Sequence, residues 1–194
     1  KLKDIKISQP KRNSIYIPQS LFKFLPKYDY LIGEILNQNK SSTISFIKDK
    51  DPFYTLKFIN RLKNIPNIKK NFDRVIFLEG MNQISYYKEL LNQKIIVDTI
   101  GWSGGNTTME ALYLNKPVIT IKGKNLRSNH SSAILKELEL NELVVNNYSE
   151  FLSLIKKINS DENFYNSIVS KIIKNKNLIF NKNVSLYDKI KSFL

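Results

Sequence analysis

The sequence lacks cysteine and holds one histidine, one tryptophan, four arginines and two alanines in 194 residues. Without cysteine there is no disulfide framework, no thiolate zinc site and no cysteine nucleophile. No apolar run approaches the roughly 20 residues that a membrane-spanning helix needs, and no signal-peptide pattern opens the chain. A soluble, cytoplasmic protein with no membrane span is expected. The chain begins at Lys1 and not at Met, and its opening reads as mid-protein sequence, so a piece of a longer protein is also expected.

What is abundant is lysine, isoleucine and asparagine: 27, 26 and 23 residues respectively. The formal net charge is +14, with 18 basic and 8 acidic residues in 1–97 against 13 and 9 in 98–194. Such an excess can bind phosphates. Scarce Arg and Ala beside abundant Lys, Ile and Asn is also what an AT-rich genome imposes on any protein. Because arginine, the preferred reader of bases and phosphates, is the cation in short supply, the compositional reading is favoured and no nucleic-acid partner is expected. A hydrophobic content of 42%, with 10 Tyr and 11 Phe, excludes intrinsic disorder and is enough for a sizeable core.

Short β-rich runs alternate with helical stretches. Strands are predicted at Ser14–Pro18, Thr43–Ile47, Arg74–Leu78, Ile95–Asp98, Pro117–Ile121 and Leu143–Val145. Helices are predicted at 26–37, 52–63, 84–92, 107–114 and 131–138. From Ser149 onward the pattern is helical only, over 149–159, 161–174 and 184–194, with Ser149 and Asp161 read as N-caps. Six strands separated by helices predict a doubly wound, parallel, Rossmann-like α/β domain. The expected division is a nucleotide-binding domain over 1–160 and C-terminal helices over 161–194.

The chemically informative stretch runs Asp98-Thr-Ile-Gly-Trp-Ser-Gly-Gly-Asn-Thr-Thr-Met-Glu-Ala-Leu-Tyr-Leu-Asn-Lys-Pro117. A strand ends, a loop with Gly101, Gly104 and Gly105 follows, and Asn106, Thr107 and Thr108 open a helix. Free backbone N–H groups at that helix start, beside two Thr hydroxyls, suit a diphosphate. Glu110, in the first turn, is placed to accept both hydroxyls of a ribose. Neither the Walker loop nor the Gly-x-Gly-x-x-Gly fingerprint is present. On spacing alone, an ordinary tight turn at Gly104-Gly105 with Asn106 as N-cap fits equally well. The lone His130 reads on its own as a packed or surface residue, and Trp102 as loop packing or a pocket wall. No second His and no paired carboxylates support metal ligation.

Three blocks in order carry a resemblance. They are Ile15-Tyr-Ile-Pro-Gln-Ser-Leu-Phe-Lys-Phe-Leu-Pro26, Arg74-Val-Ile-Phe-Leu78, and Asp98–Pro117 with its continuation through Gly123 and Ser128–Leu135. Together, over about residues 14–160, they resemble the O-GlcNAc transferase / SPINDLY-type glycosyltransferases, in particular the bacterial members that carry tetratricopeptide repeats. The resemblance implies the C-terminal, donor-binding half of a GT-B enzyme. A Rossmann-like N-terminal domain and the repeats would lie outside this sequence, and the terminal helices would pack on this domain or on that missing one.

By the same resemblance, Lys23 is the catalytic cation on the donor diphosphate, and Gly105, Asn106, Thr107 and Thr108 are the diphosphate loop. Glu110 is the ribose acid, and Gln19, Asn129 and His130 are further donor contacts. Met81 to Ser85 would lie near the base, but depart from the eukaryotic pattern. The function implied is inverting, metal-independent transfer of a sugar to a protein Ser/Thr hydroxyl. The co-substrate is a nucleotide-sugar, with a UDP-sugar such as UDP-GlcNAc placed ahead of a GDP-sugar, and no cofactor is implied. The alternatives are a GT-B transferase for a glycan or lipid acceptor and a non-catalytic nucleotide-sugar-binding module.

Overall fold

The computed structural model describes residues 13–180. Six strands, β1 (Ser14–Ile17), β2 (Thr43–Ile47), β3 (Val75–Leu78), β4 (Ile95–Val97), β5 (Val118–Ile121) and β6 (Val144–Val145), lie in the order β3-β2-β1-β4-β5-β6. Every pair is parallel. The near-continuous apolar character of β1, β4 and β5 follows from this arrangement, since helices cover both faces of a parallel sheet. All residues of these three strands are buried.

The helices are α1 (Asp29–Gln38), α2 (Pro52–Lys63), α3 (Pro66–Lys69), α4 (Gln83–Asn92), α5 (Asn106–Tyr113), α6 (His130–Glu137), α7 (Tyr148–Ser160), α8 (Glu162–Asn175) and α9 (Asn177–Phe180). Local chemistry sets their ends. Asp51 caps α2 by accepting from Phe53 N, with Pro52 at the first helical position. Asn82 caps α4 and Asp161 caps α8, the latter accepting from Phe164 N at 2.9 Å. Tyr165, Ile168 and Ile172 of α8 enter the same core as the sheet. The Lys94–Glu162 ion pair and the Asn175 bond to the Leu138 carbonyl fasten α8 further.

Several expectations shift. The predicted N-cap Ser149 lies inside α7; Asn147 caps it instead, because its carboxamide reaches Glu150 N at 2.9 Å. The helix expected from Pro26 opens as a 3-10 turn, Pro26–Tyr28, before α1. Arg74 precedes β3, and its guanidinium donates to the carbonyls of Leu36, Asn39 and Ser42 at the end of α1. Its backbone closes the 3-10 turn Phe72–Arg74, with its N–H bonded to the Asn71 carbonyl at 3.0 Å, which keeps it out of the ladder. The helix predicted over 184–194 lies outside the described residues.

Candidate functional site

The strand order reverses between β1 and β4, and the carboxyl ends at such a reversal form a natural crevice. Two segments meet there. β1 runs through Pro18 and Gln19 into a 3-10 turn, Leu21–Lys23. β4 runs into the glycine loop and on into α5.

Gln19 is the joint between them. Its amide oxygen accepts from Lys23 Nζ at 2.8 Å and its amide nitrogen donates to Thr107 Oγ1 at 2.6 Å. Gly104 lies against this joint. A Cβ built there would sit 2.4 Å from Gln19 Nε2 and 2.5 Å from Thr107 Oγ1, so no side chain fits without displacing both. Lys23 is half-buried, and desolvation lowers the pKa of its ammonium while the charge of Asp98 opposes that fall.

Two helix N-termini flank the loop, and they are not equivalent. No side chain caps α5, so the N–H groups of its first turn stay available. At α6, Ser103 from the glycine loop supplies the missing cap. Its hydroxyl accepts from His130 N at 2.9 Å and Ser131 N at 3.3 Å. The loop therefore closes one anion-binding helix end and leaves the other open beside Lys23 and Thr107.

Beneath the loop lies a buried polar layer. Asp98 Oδ1 accepts from Thr99 N at 2.9 Å and Gly104 N at 2.7 Å, and its Oδ2 accepts from Thr120 Oγ1 at 2.8 Å. Burial raises this carboxyl to about 6, against the lowering effect of its hydrogen bonds. Ser131 donates to the Gly104 carbonyl at 2.9 Å and shares a 2.7 Å bond with Thr108 Oγ1.

The predicted site residues thus separate by geometry. Gln19, Lys23, Gly105, Asn106 and Thr107 gather at the open end of α5. Thr108 is buried, and its hydroxyl turns inward to Ser131. Asn129 is engaged in shaping the segment between β5 and α6: it accepts from Gly123 N and donates to the carbonyls of Gly123 and Asn125. His130 is exposed at the start of α6. Glu110 faces α4, accepting from Tyr87 Oη at 3.3 Å, while Gln83 donates to that phenol at 2.9 Å. Desolvation raises the Glu110 carboxyl, with the Tyr87 hydrogen bond acting against the shift.

The sequence reading missed the supporting layer of Asp98, Ser103, Thr120 and Ser131. One signal existed, a polar Thr120 within the otherwise apolar Val-Ile-Thr-Ile strand. Trp102 stands at the rim, edge-on to Phe22 at 5.3 Å with Arg127 over its face at 4.8 Å. Among the described residues no cluster of three or more His, Asp or Glu side chains is placed to hold a metal ion. None of their helices is long and apolar enough to cross a membrane.

An all-parallel Rossmann-like sheet with a polar crevice at its switch point defines an α/β domain of the kind found in GT-B glycosyltransferases. The chain belongs to glycosyl transferase family 41, whose model matches residues 57–189. It is 28% identical over 110 residues to the UDP-N-acetylglucosamine–peptide N-acetylglucosaminyltransferase of Giardia intestinalis, covering 56% of this chain and 7% of that protein.

Among solved structures, a variant of the Thermobaculum terrenum O-GlcNAc transferase superposes with a TM-score of 0.79 at 17% identity. The match covers 96% of this chain and 35% of that one. Anabaena HepE, solved with UDP and glucose, gives 0.67 at 16% identity, over 93% of this chain and 48% of that one. The pneumococcal O-GlcNAc transferase GtfA, solved with UDP and GlcNAc, gives 0.61 at 14%, over 95% and 36%. At these identities the likenesses establish the fold. The chain spans a small part of the curated relative and about a third to a half of these structures.

Proposed function

We propose that this chain is the donor-binding part of a glycosyltransferase that moves a sugar from a UDP-sugar, UDP-GlcNAc foremost, to a protein Ser/Thr hydroxyl. The observation that carries this reading is the uncapped N-terminus of α5 set beside the Lys23–Gln19–Thr107 chain. A diphosphate placed there meets backbone donors, a hydroxyl and an ammonium together. The names of the relatives support the choice of donor: GtfA and HepE were each solved with UDP, and the Giardia enzyme acts from UDP-N-acetylglucosamine on peptide.

In this reading the acceptor oxygen attacks the anomeric carbon from the side opposite the diphosphate, inverting it. The sugar–phosphate bond breaks and its electron pair leaves on the nucleoside diphosphate. Lys23 and the α5 N–H groups meet that growing charge, an interaction stronger in the transition state than in the bound donor. Glu110, once turned from Tyr87, accepts the ribose hydroxyls. Asn106 and Gly105 line the phosphate end, and Asn129 and His130 form its far wall. The acceptor's proton leaves to a base on the domain that completes the cleft. No metal is required for charge neutralisation in this arrangement.

Calorimetric titration of the chain with UDP, GDP and UDP-GlcNAc tests the donor assignment. UDP and UDP-GlcNAc are expected to bind, and GDP to bind more weakly. Absence of heat with all three removes the reading. Tighter binding of GDP than UDP would replace the donor.

A further inference from the structure

Asp98 stands apart from the groups expected to touch the donor. It is buried, 4% exposed, directly behind the glycine loop, whose Gly104 N–H donates to it. Its acceptor contacts are internal: two loop N–H groups on one oxygen and the Thr120 hydroxyl on the other, with the Ser131 hydroxyl a further hydrogen-bonding neighbour that favours the charged form. The ion pairs found among the described residues, Lys48–Glu79, Arg61–Asp29, Lys94–Glu162 and Lys171–Glu142, leave Asp98 without a cation in contact. The charges around it are Lys23, on the turn after β1, and Asp29 of α1, which lines the same small cavity and is paired with Arg61 of α2. Thr120 on β5 and Ser131 on α6 face it as neutral groups, and His130 lies exposed at the head of α6.

Resting on the donor reading above, we propose that Asp98 is a positioning residue that holds the glycine loop through Gly104 and takes up a proton when an anionic donor binds. The geometry supplies both halves. Bonds to Thr99 N and Gly104 N close the loop, and these survive protonation because Thr120 can reverse its hydroxyl and accept. A pyrophosphate at the open end of α5 then sets two negative charges near a buried carboxylate, and like charge favours the neutral acid. The free carboxyl, already raised to about 6, moves further toward neutrality. The sign follows: donor affinity rises as pH falls through the interval between the free and the bound value, and is flat below and above it.

The test is calorimetry with UDP-GlcNAc, whose two phosphodiester groups stay ionised across the neutral range. Wild type and Asp98→Asn are compared in buffers of different ionisation enthalpy. Groups that do not sense the Asp98 charge contribute equally in the two proteins and drop out of the comparison. Wild type is expected to take up a fraction of a proton that the variant does not. At about pH 8 the variant should bind roughly threefold to tenfold more tightly than wild type, and the two should converge at about pH 5.5. Equal proton uptake in the two proteins, or weaker binding by the variant at every pH, overturns the inference and leaves Asp98 a purely structural residue.

Should Asp98→Asn fail to fold, the Gly104 amide resonance of wild type reports the same carboxyl. Its titration midpoint should move upward on adding UDP-GlcNAc. Binding with an unmoved midpoint overturns the inference while sparing the donor reading. No binding at all removes the donor reading and this inference with it.

Discussion

Gln19 Nε2 and Thr107 Oγ1 are 2.6 Å apart although 88 positions separate them in sequence. Because the Thr107 oxygen accepts this bond, its own proton is directed elsewhere, and the open side is the N-terminus of α5. The amide thus leaves the Thr107 hydroxyl free to donate, as the proposed diphosphate contact requires. Its other end steadies Lys23 at 2.8 Å.

Gln19→Leu keeps volume and removes both bonds. UDP affinity is expected to fall by about 1–3 kcal/mol, because two donors lose their alignment and the half-buried Thr107 hydroxyl loses its partner. Thr107→Ala is expected to cost about 1–2 kcal/mol in the same titration, with the fold intact. UDP affinity unchanged in both variants would show that the diphosphate sits elsewhere.

The two adjacent glycines should respond differently. A methyl group at Gly104 runs into Gln19 and Thr107, whereas one at Gly105 meets nothing within 4 Å. Gly104→Ala should therefore lower the melting temperature and abolish UDP binding, while Gly105→Ala leaves stability within about 0.5 kcal/mol of wild type. Equal effects in thermal denaturation would contradict the loop packing.

Lys116 gives a stability prediction at the other end of the sheet. It is buried, its ammonium donates to the Leu91 carbonyl at 2.6 Å, and desolvation lowers its pKa to about 8. The unfolded chain then binds the proton more tightly than the folded one. The penalty is fully present below about pH 8 and fades as pH rises toward the unfolded value of about 10.4. Urea denaturation of wild type and Lys116→Met should show a stability difference that shifts in favour of wild type from pH 8 to about pH 10. A pH-independent difference would place the proton elsewhere.

Turnover should separate from binding. Alignment of acceptor and donor in a closed cleft is worth roughly 7–11 kcal/mol of barrier. Residues 1–194 alone are therefore expected to bind UDP yet glycosylate no peptide. In a protein that carries the completing domain of the cleft, Lys23→Ala should reduce kcat more than it weakens donor binding, since its charge counts most as the diphosphate leaves. Peptide glycosylation by residues 1–194 would remove the half-cleft reading. Normal kcat in the Lys23→Ala protein would remove the leaving-group role.

The parallel α/β class was legible in the sequence because each strand sheathed on both faces must be apolar along its whole length, as in Ile95-Ile-Val97 and Val118-Ile-Thr-Ile121. The helix start at Asn106-Thr-Thr108 was legible for a similar reason: small polar residues after glycines are a local property of the backbone. Strand order, and hence the meeting of Gln19 with Thr107, was not, since pairing β1 with β4 is a long-range choice that local propensity does not encode. The same holds for the inward turn of Thr108 to Ser131, the engagement of Asn129 by Gly123, and the capping of α6 by Ser103 from a loop 27 positions away. Each hydroxyl or amide has several possible partners in an unfolded chain. Only packing decides which one it meets, because a buried polar group must be satisfied by whatever the fold brings within reach.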